Sequence, residues 1–156
     1  MAFLTGSRMG VVGNPGDIHT TQRNALGARS FDELGNEYIY LAGVASTVAN
    51  NWVAYDEVFA STRTLAATLG PCAIASAAIV ASNWGWYGLA GKFTGTSGTI
   101  ADNGHVYSTS TAGSVDDAAV QGSRILGAIA RSSDSGGVAT FQIQYPMLMG
   151  ILEPTT

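Results

Sequence analysis

The sequence predicts an all-β fold: a small antiparallel barrel or sandwich, jelly-roll-like or β-tulip-like, with an extended N-terminal arm. Its 156 residues include 20 glycines and a single lysine, Lys92, whereas long amphipathic helices are usually rich in Lys, Glu, Leu and Arg. Turn signals rich in Gly, Asn, Asp and Ser recur about every ten residues over much of the chain, a spacing typical of β-sandwiches and barrels. Between them lie short runs of β-branched and aromatic residues.

The chain divides into an arm, residues 1–35, and a single β domain, residues 36–156. The length is that of one domain. Residues 1–35 hold many glycines and no sustained apolar period, so we predict an arm that is either loose or laid across a neighbouring subunit. Residues 1–30 carry three arginines against one aspartate, a net charge of +2, which leaves −6 for the rest of a chain whose total is −4.

The strands follow from alternation and from the turns that bound them. In 37–44, for example, Tyr38 and Tyr40 point one way and Ile39 and Leu41 the other, which indicates that both faces are covered. The run 116–122 is either one helical turn or a loop. Strands are predicted at 37–44, 52–55, 58–65 (a weaker candidate), 72–80, 84–94, 105–108, 125–130 and 138–145.

We interpret residues 72–94 as the central hairpin. The Ala-rich run 72–80 could be helix or strand, but it is short and begins after Gly-Pro, which favours a strand. In its partner, Gly85 separates Trp84 from Trp86. A glycine inside a strand usually marks a bulge, a bend or the close approach of another backbone.

Motifs for catalysis, metal binding and cofactor binding are lacking in the sequence. His19 and His105 are far apart and have no Cys or carboxylate partners at metal-ligand spacing. Cys72 is the only cysteine, so no intrachain disulfide can form, and we predict a buried, inert thiol. The adjacent acids at 56–57 and 116–117 point to opposite faces if extended, which indicates turn acids and not a proton-sharing pair. We therefore predict a protein that is not an enzyme and has no cofactor and no metal.

Charge and hydropathy restrict the partners. A pI near 4.8 argues against direct nucleic-acid binding. Only 12% of residues are charged, about half the usual share, so we expect partners to cover much of the surface. No signal-peptide pattern is seen, and the apolar run 72–81 is too short to cross a bilayer. We expect folding inside a cell and no membrane anchor.

The aromatic residues are a candidate interaction surface. Trp84, Trp86 and Tyr87 lie together in the chain, and Trp52, Tyr38 and Tyr40 precede them. Such a group could form a stacking platform for sugars or bases. Packing in the core or at a subunit interface is the favoured interpretation, because aromatic residues dominate both.

Three segments in order resemble the capsid decoration, or cement, proteins of tailed bacteriophages. The resemblance covers about residues 25–150 and consists of turns and strands, not of a signature motif. The segments are Leu26-Gly27-Ala28-Arg29 followed by 35–40, Trp84-Gly85-Trp86 running into Gly91-Lys92-Phe93, and 125–130 followed by 138–146.

The resemblance implies a virion protein, made in the host cytoplasm, that binds the outside of the capsid and stabilises contacts between major capsid proteins. Such proteins often form homotrimers at threefold sites, so the partners would be the major capsid protein and further copies of this chain. The alternative is a glycan- or receptor-binding β-module of a fibre or tail. The candidate interface residues are Arg8, His19, Arg23, Arg29, Trp52, Trp84, Trp86 and Tyr87.

Overall fold

The computed structural model describes residues 11–66 and 68–150, and within them the protein contains eleven β-strands and no helix. An all-β fold is thus confirmed. Accordingly, no helix able to cross a membrane occurs in these residues. The strands are β1 Ile18–His19, β2 Arg29–Phe31, β3 Glu37–Ala42, β4 Trp52–Tyr55, β5 Ser61–Arg63, β6 Gly70–Ala75, β7 Trp84–Thr96, β8 His105–Ser108, β9 Val115–Asp116, β10 Arg124–Ala130 and β11 Val138–Leu148.

All eleven strands belong to one sheet, and every pair of strands within it is antiparallel. The main order is β2-β3-β7-β6-β11-β10-β8-β9, with β1 added to β7 and the β4–β5 ribbon added to β6. The sheet does not close into a barrel, which favours the sandwich of the two predicted architectures.

The two longest strands change partners along their length. The first half of β7 pairs with β3, and from Ala90 onward β7 pairs with β11. β11 in turn pairs with β7 as far as Gln144 and with β6 from Met147. β6 spans the point where β7 and β11 diverge, with Pro71 opposite Met147 and Ile74 opposite Gly88. β11 therefore bends between Gln144 and Met147, and this bend forms one side of the groove described below.

Alternating side chains of the central strands enter different hydrophobic clusters. Ile39 and Leu41 of β3 enter one cluster, whereas Tyr38 and Tyr40 enter another that contains Trp86. β4 and β6 behave in the same way: Trp52 belongs to a third cluster, and its neighbour Val53 to the cluster of Ile39. Strands covered on both faces show no polar alternation. The prediction that both faces of 37–44 are covered is confirmed.

The central hairpin is confirmed, although its first strand is shorter than predicted. β6 pairs with β7, with Ala75 opposite Tyr87, but it ends at Ala75 and not at residue 80. Beyond it the chain leaves the sheet and buries Ile79 completely. This crossing requires a glycine at position 43, because a Cβ there would lie 2.3 Å from the Ile79 carbonyl oxygen.

Two further predictions need adjustment. The candidate strand 58–65 is reduced to β5, because residues 56–60 form a tight turn in which the Phe59 N–H donates to the Asp56 carbonyl oxygen. In the run 116–122 the loop alternative is right. Asp116 ends β9, and its Oδ1 accepts a hydrogen bond from the Ala118 N–H, a local turn that competes with a helix.

The prediction of an arm that is loose or laid across a neighbouring subunit is wrong for its described part, residues 11–35, which packs on its own chain. β1 pairs with β7 and β2 pairs with β3. The Tyr40 hydroxyl lies 2.8 Å from His19 Nδ1 and accepts a hydrogen bond from the Arg23 N–H, so polar contacts as well as strand pairing hold this segment. Residues 1–10 lie outside the described residues, and the domain boundary at residue 35 stays a prediction.

Candidate binding groove

An open groove of about 730 Å³ lies where the β4–β5 turn, the start of β6 and the bend of β11 meet. We call it the Tyr145 groove. It is lined by residues 54–57, 59–60, 68–71 and 145–147, together with Arg29 and Thr62. This volume falls in the range of ordinary ligand sites, which are concave and mostly apolar.

Apolar side chains line the groove, and several are exposed to solvent. The rings of Tyr55 and Phe59 stack with a centroid distance of 6.4 Å and an interplanar angle of 27°. Leu69, Tyr145 and Met147 are 62%, 49% and 37% exposed. Because contiguous exposed apolar surface is uncommon on a monomer and usually marks an interaction site, the groove is the leading candidate for a binding surface.

Two aromatic residues of the groove have an unusual backbone conformation. Among the described residues, six non-glycine residues have positive φ, and four of these are Ser or Asn. The other two are Phe59, with φ 62°, and Tyr145, with φ 46°. A bulky residue in this region costs on the order of 1–3 kcal/mol and persists only where its surroundings enforce it. Both residues line the groove.

Tyr145 is held in place by two residues near the start of the chain. Its hydroxyl donates a hydrogen bond to Glu37 Oε2, and Glu37 is 5% exposed. The Arg29 guanidinium lies 5.5 Å from the Tyr145 ring centroid and 3.7 Å from Glu37 Oε1. The hydrogen bond to Glu37 raises the pKa of Tyr145, so the hydroxyl stays protonated and continues to donate.

Phe59 is held by the turn around it. Asp56 Oδ1 accepts hydrogen bonds from the N–H groups of Val58 and Ala60, which fixes the β4–β5 turn. The Phe59 ring lies directly over Gly27, where a Cβ would come within 2.5 Å of it. The position therefore requires a glycine, and the ring is fixed between the turn and the backbone at Gly27.

Negative side chains outnumber positive ones at the groove. Asp56 and Glu57 are exposed at its rim, and within the described residues neither forms an ion pair. Among the described residues, the cation that lines the groove is Arg29, and it is already paired with Glu37. The rim therefore presents uncompensated negative charge beside an apolar floor.

The structure places the eight predicted interface residues in very different environments. Trp52, Trp86 and Tyr87 have no exposed surface, and His19 is 6% exposed, so these four lie in the interior of their own chain and offer no surface to a partner. Trp84 is half-buried and Arg23 is exposed. Arg29 lines the groove, and Arg8 lies outside the described residues.

Sequence reasoning missed the aromatic residues of the groove. Tyr55 and Tyr145 were placed only as strand residues, and Phe59 and Leu69 were not singled out. The punctuation Leu69-Gly70-Pro71 and Tyr145-Pro146 marked breaks in the strands, but nothing in the sequence indicates that two such breaks lie side by side. The left-handed conformation of Phe59 and Tyr145 carries no sequence signal at all.

The thiol of Cys72 is buried, as predicted from the sequence. Cys72 has no exposed surface, and burial raises the pKa of its thiol to about 12, so the prediction of a buried thiol is confirmed. In residues 11–66 and 68–150, no group of three or more His, Cys, Asp and Glu side chains is close enough to hold a metal ion.

Comparisons with known proteins identify no relative. No protein-family profile, curated protein or solved structure matches this chain.

Proposed function

We propose that this protein is a virion structural protein that binds the outer surface of a tailed-phage capsid and stabilises contacts between major capsid proteins. The observation that carries the proposal is the Tyr145 groove, an open apolar surface with three exposed side chains at Leu69, Tyr145 and Met147. The sequence resemblance described above suggests the partner. Self-association, expected as a homotrimer, would place several grooves on one assembly.

The physical basis of this function is contact area and repetition. Only 12% of the residues are charged, so burying the surface requires little desolvation of charge. A modest apolar contact, repeated by symmetry over a shell, sums to strong avidity even when each single contact is weak. Loss of the protein should then weaken shells without preventing their assembly.

A second candidate, a glycan- or receptor-binding module of a fibre or tail, is favoured by the exposed ring of Tyr145. Of the tryptophans in the predicted platform, Trp52 and Trp86 are fully buried and Trp84 is half-buried, so the platform would be at the groove and not along 84–87. Glycan-array binding that is lost in Tyr145→Ala and kept in Trp84→Ala would support this candidate over capsid attachment.

The test of capsid attachment is reconstitution. Shells purified without the protein are mixed with wild-type or variant protein, and the bound fraction is measured after sedimentation. We expect the wild type to saturate the shells and to raise the temperature at which they rupture. Leu69→Asp should bind about tenfold more weakly or worse, because a charge is buried in an apolar contact.

Leu34→Asp is the matched control, since Leu34 is 79% exposed and does not line the groove. It should bind as the wild type does. Wild-type protein that stays free in the supernatant at every concentration would overturn the proposed function.

A further inference from the structure

We propose that the Tyr145 groove binds an extended apolar segment that carries Lys or Arg, supplied by a protein partner. The identity of the partner as a capsid protein rests on the proposed function. The chemistry of the segment rests on the groove alone, and the two can fail separately.

The shape of the groove favours an extended chain bound through its side chains. It is lined by the Tyr55–Phe59 stack and by Tyr145, and aromatic-lined grooves accept extended, proline-rich or apolar segments. Pro71 and Pro146 also line it, and neither has an N–H to donate. A partner strand therefore cannot accept a hydrogen bond from the sheet at these two positions, which favours recognition through side chains there.

The charge of the groove favours a basic segment. Asp56 and Glu57 line the groove and contribute two negative charges, and the positive charge of Arg29, which also lines it, is already paired with the buried Glu37. The net charge is −2, and it resides at the rim on Asp56 and Glu57. A Lys or Arg entering beside the apolar contacts would meet complementary charge, whereas an acidic segment would be repelled.

The backbone of the groove is prepared for this role. Among the described residues with positive φ, glycine, Ser and Asn apart, there are only Phe59 and Tyr145, and both line the groove. Observed strain of this kind concentrates at binding sites. Holding both rings in place before binding lowers the ordering cost of association, which suits a groove that takes a flexible segment.

The experiment uses a random dodecapeptide library displayed on a carrier and selected on the immobilised full-length protein, with Leu69→Asp as the counter-selection. Affinities of the selected peptides are then measured by fluorescence anisotropy. We expect enriched peptides to combine apolar residues or proline with Lys or Arg and to be poor in Asp and Glu. Their binding should weaken as salt rises, because exposed charges are screened.

Two charge reversals sharpen the test. Glu57→Lys should weaken binding of the basic peptides about tenfold by replacing attraction with repulsion. Glu33→Lys makes the same change at an exposed turn outside the groove and should leave binding unchanged. Circular dichroism confirms that each variant is folded.

Four outcomes are informative. Basic apolar peptides that lose binding in Glu57→Lys but not in Glu33→Lys support the inference, even if the protein ignores capsids. Capsid binding that is untouched by Leu69→Asp and Glu57→Lys overturns the inference while the proposed function stands. Enrichment of acidic peptides, or of none, overturns it. If glycans bind at Tyr145 and no peptide binds, the inference is overturned in favour of the second candidate function.

Discussion

Two groups of aromatic residues occupy this molecule, and they have opposite environments. The first group, with Tyr40, Trp52, Trp86 and Tyr87, has no exposed surface. The second group, at the Tyr145 groove, is partly or half exposed and includes two residues with left-handed backbone conformation. The most conspicuous aromatic residues of the sequence pack in the interior, whereas the candidate binding groove is lined by aromatic residues that no motif marks.

Large aromatic rings pack closely against the glycines of β7. The Phe93 ring lies where a Cβ on Gly88 would come within 2.4 Å of it, and the Trp52 indole nitrogen lies where a Cβ on Gly95 would come within 2.6 Å. Trp52 also packs edge-on against Phe141 at a centroid distance of 5.0 Å. Gly88 and Gly95 of β7 therefore make room for large rings.

The largest expected effect comes from removing a ring of the buried group. Trp52→Ala should lower the free energy of unfolding by about 3–5 kcal/mol, because it removes a fully buried ring and leaves a cavity. Trp84→Ala, at a half-buried position, should cost roughly 1–2 kcal/mol. Urea unfolding followed by circular dichroism measures both. Equal losses would show that the two tryptophans do not differ in packing as described.

An intermediate effect is expected at Tyr145. Tyr145→Gly should be more stable than Tyr145→Ala by about 1 kcal/mol, because glycine adopts positive φ without strain. At the neighbouring Gln144, whose φ is not positive, the order should invert, since glycine there only adds flexibility to the unfolded chain. Urea unfolding of the four variants is the measurement. The same order at both positions would mean that the strain at Tyr145 has no energetic weight.

The smallest expected effect is a pH dependence of the free energy of unfolding, which arises at His19 beside Tyr40 of the buried group. Burial of His19 lowers its pKa below the ordinary 6.5, assisted by Arg23 and opposed by Asp17. The folded state therefore binds this proton more weakly than the unfolded state. The resulting stability is present above pH 6.5 and is lost as the pH falls through the lowered folded pKa.

Protonation would also disturb the hydrogen bond between His19 and Tyr40. The Tyr40 hydroxyl accepts from the Arg23 N–H and keeps its own proton for donation to His19 Nδ1, a bond that only the tautomer without a proton on Nδ1 can accept. His19→Asn should reduce the loss of stability in mild acid, measured as urea midpoints between pH 7.5 and pH 5. His105→Asn, at an exposed histidine, is the control. A pH dependence unchanged by His19→Asn would contradict this account.

Much of the fold was predictable because strand signals are local. The alternation in 37–44 correctly assigned opposite faces to Tyr38 and Ile39, and turn residues marked the boundaries of β4, β8, β10 and β11 within a few positions. The predicted end of the first hairpin strand at residue 80 was wrong, because the chain leaves the sheet after Ala75 and its backbone at Ile79 packs against Gly43. That contact lies more than thirty residues away and is invisible to a local pattern.

The sequence by itself determined an all-β chain of short antiparallel strands, a buried thiol at Cys72 and a surface with little charge. Only the tertiary structure decided which aromatic residues face solvent. Tyr145 owes its position to Glu37, 108 residues earlier in the chain, and Phe59 rests on Gly27. Alternation along a strand separates two faces but does not say what covers each one, since that depends on which distant segments pack there.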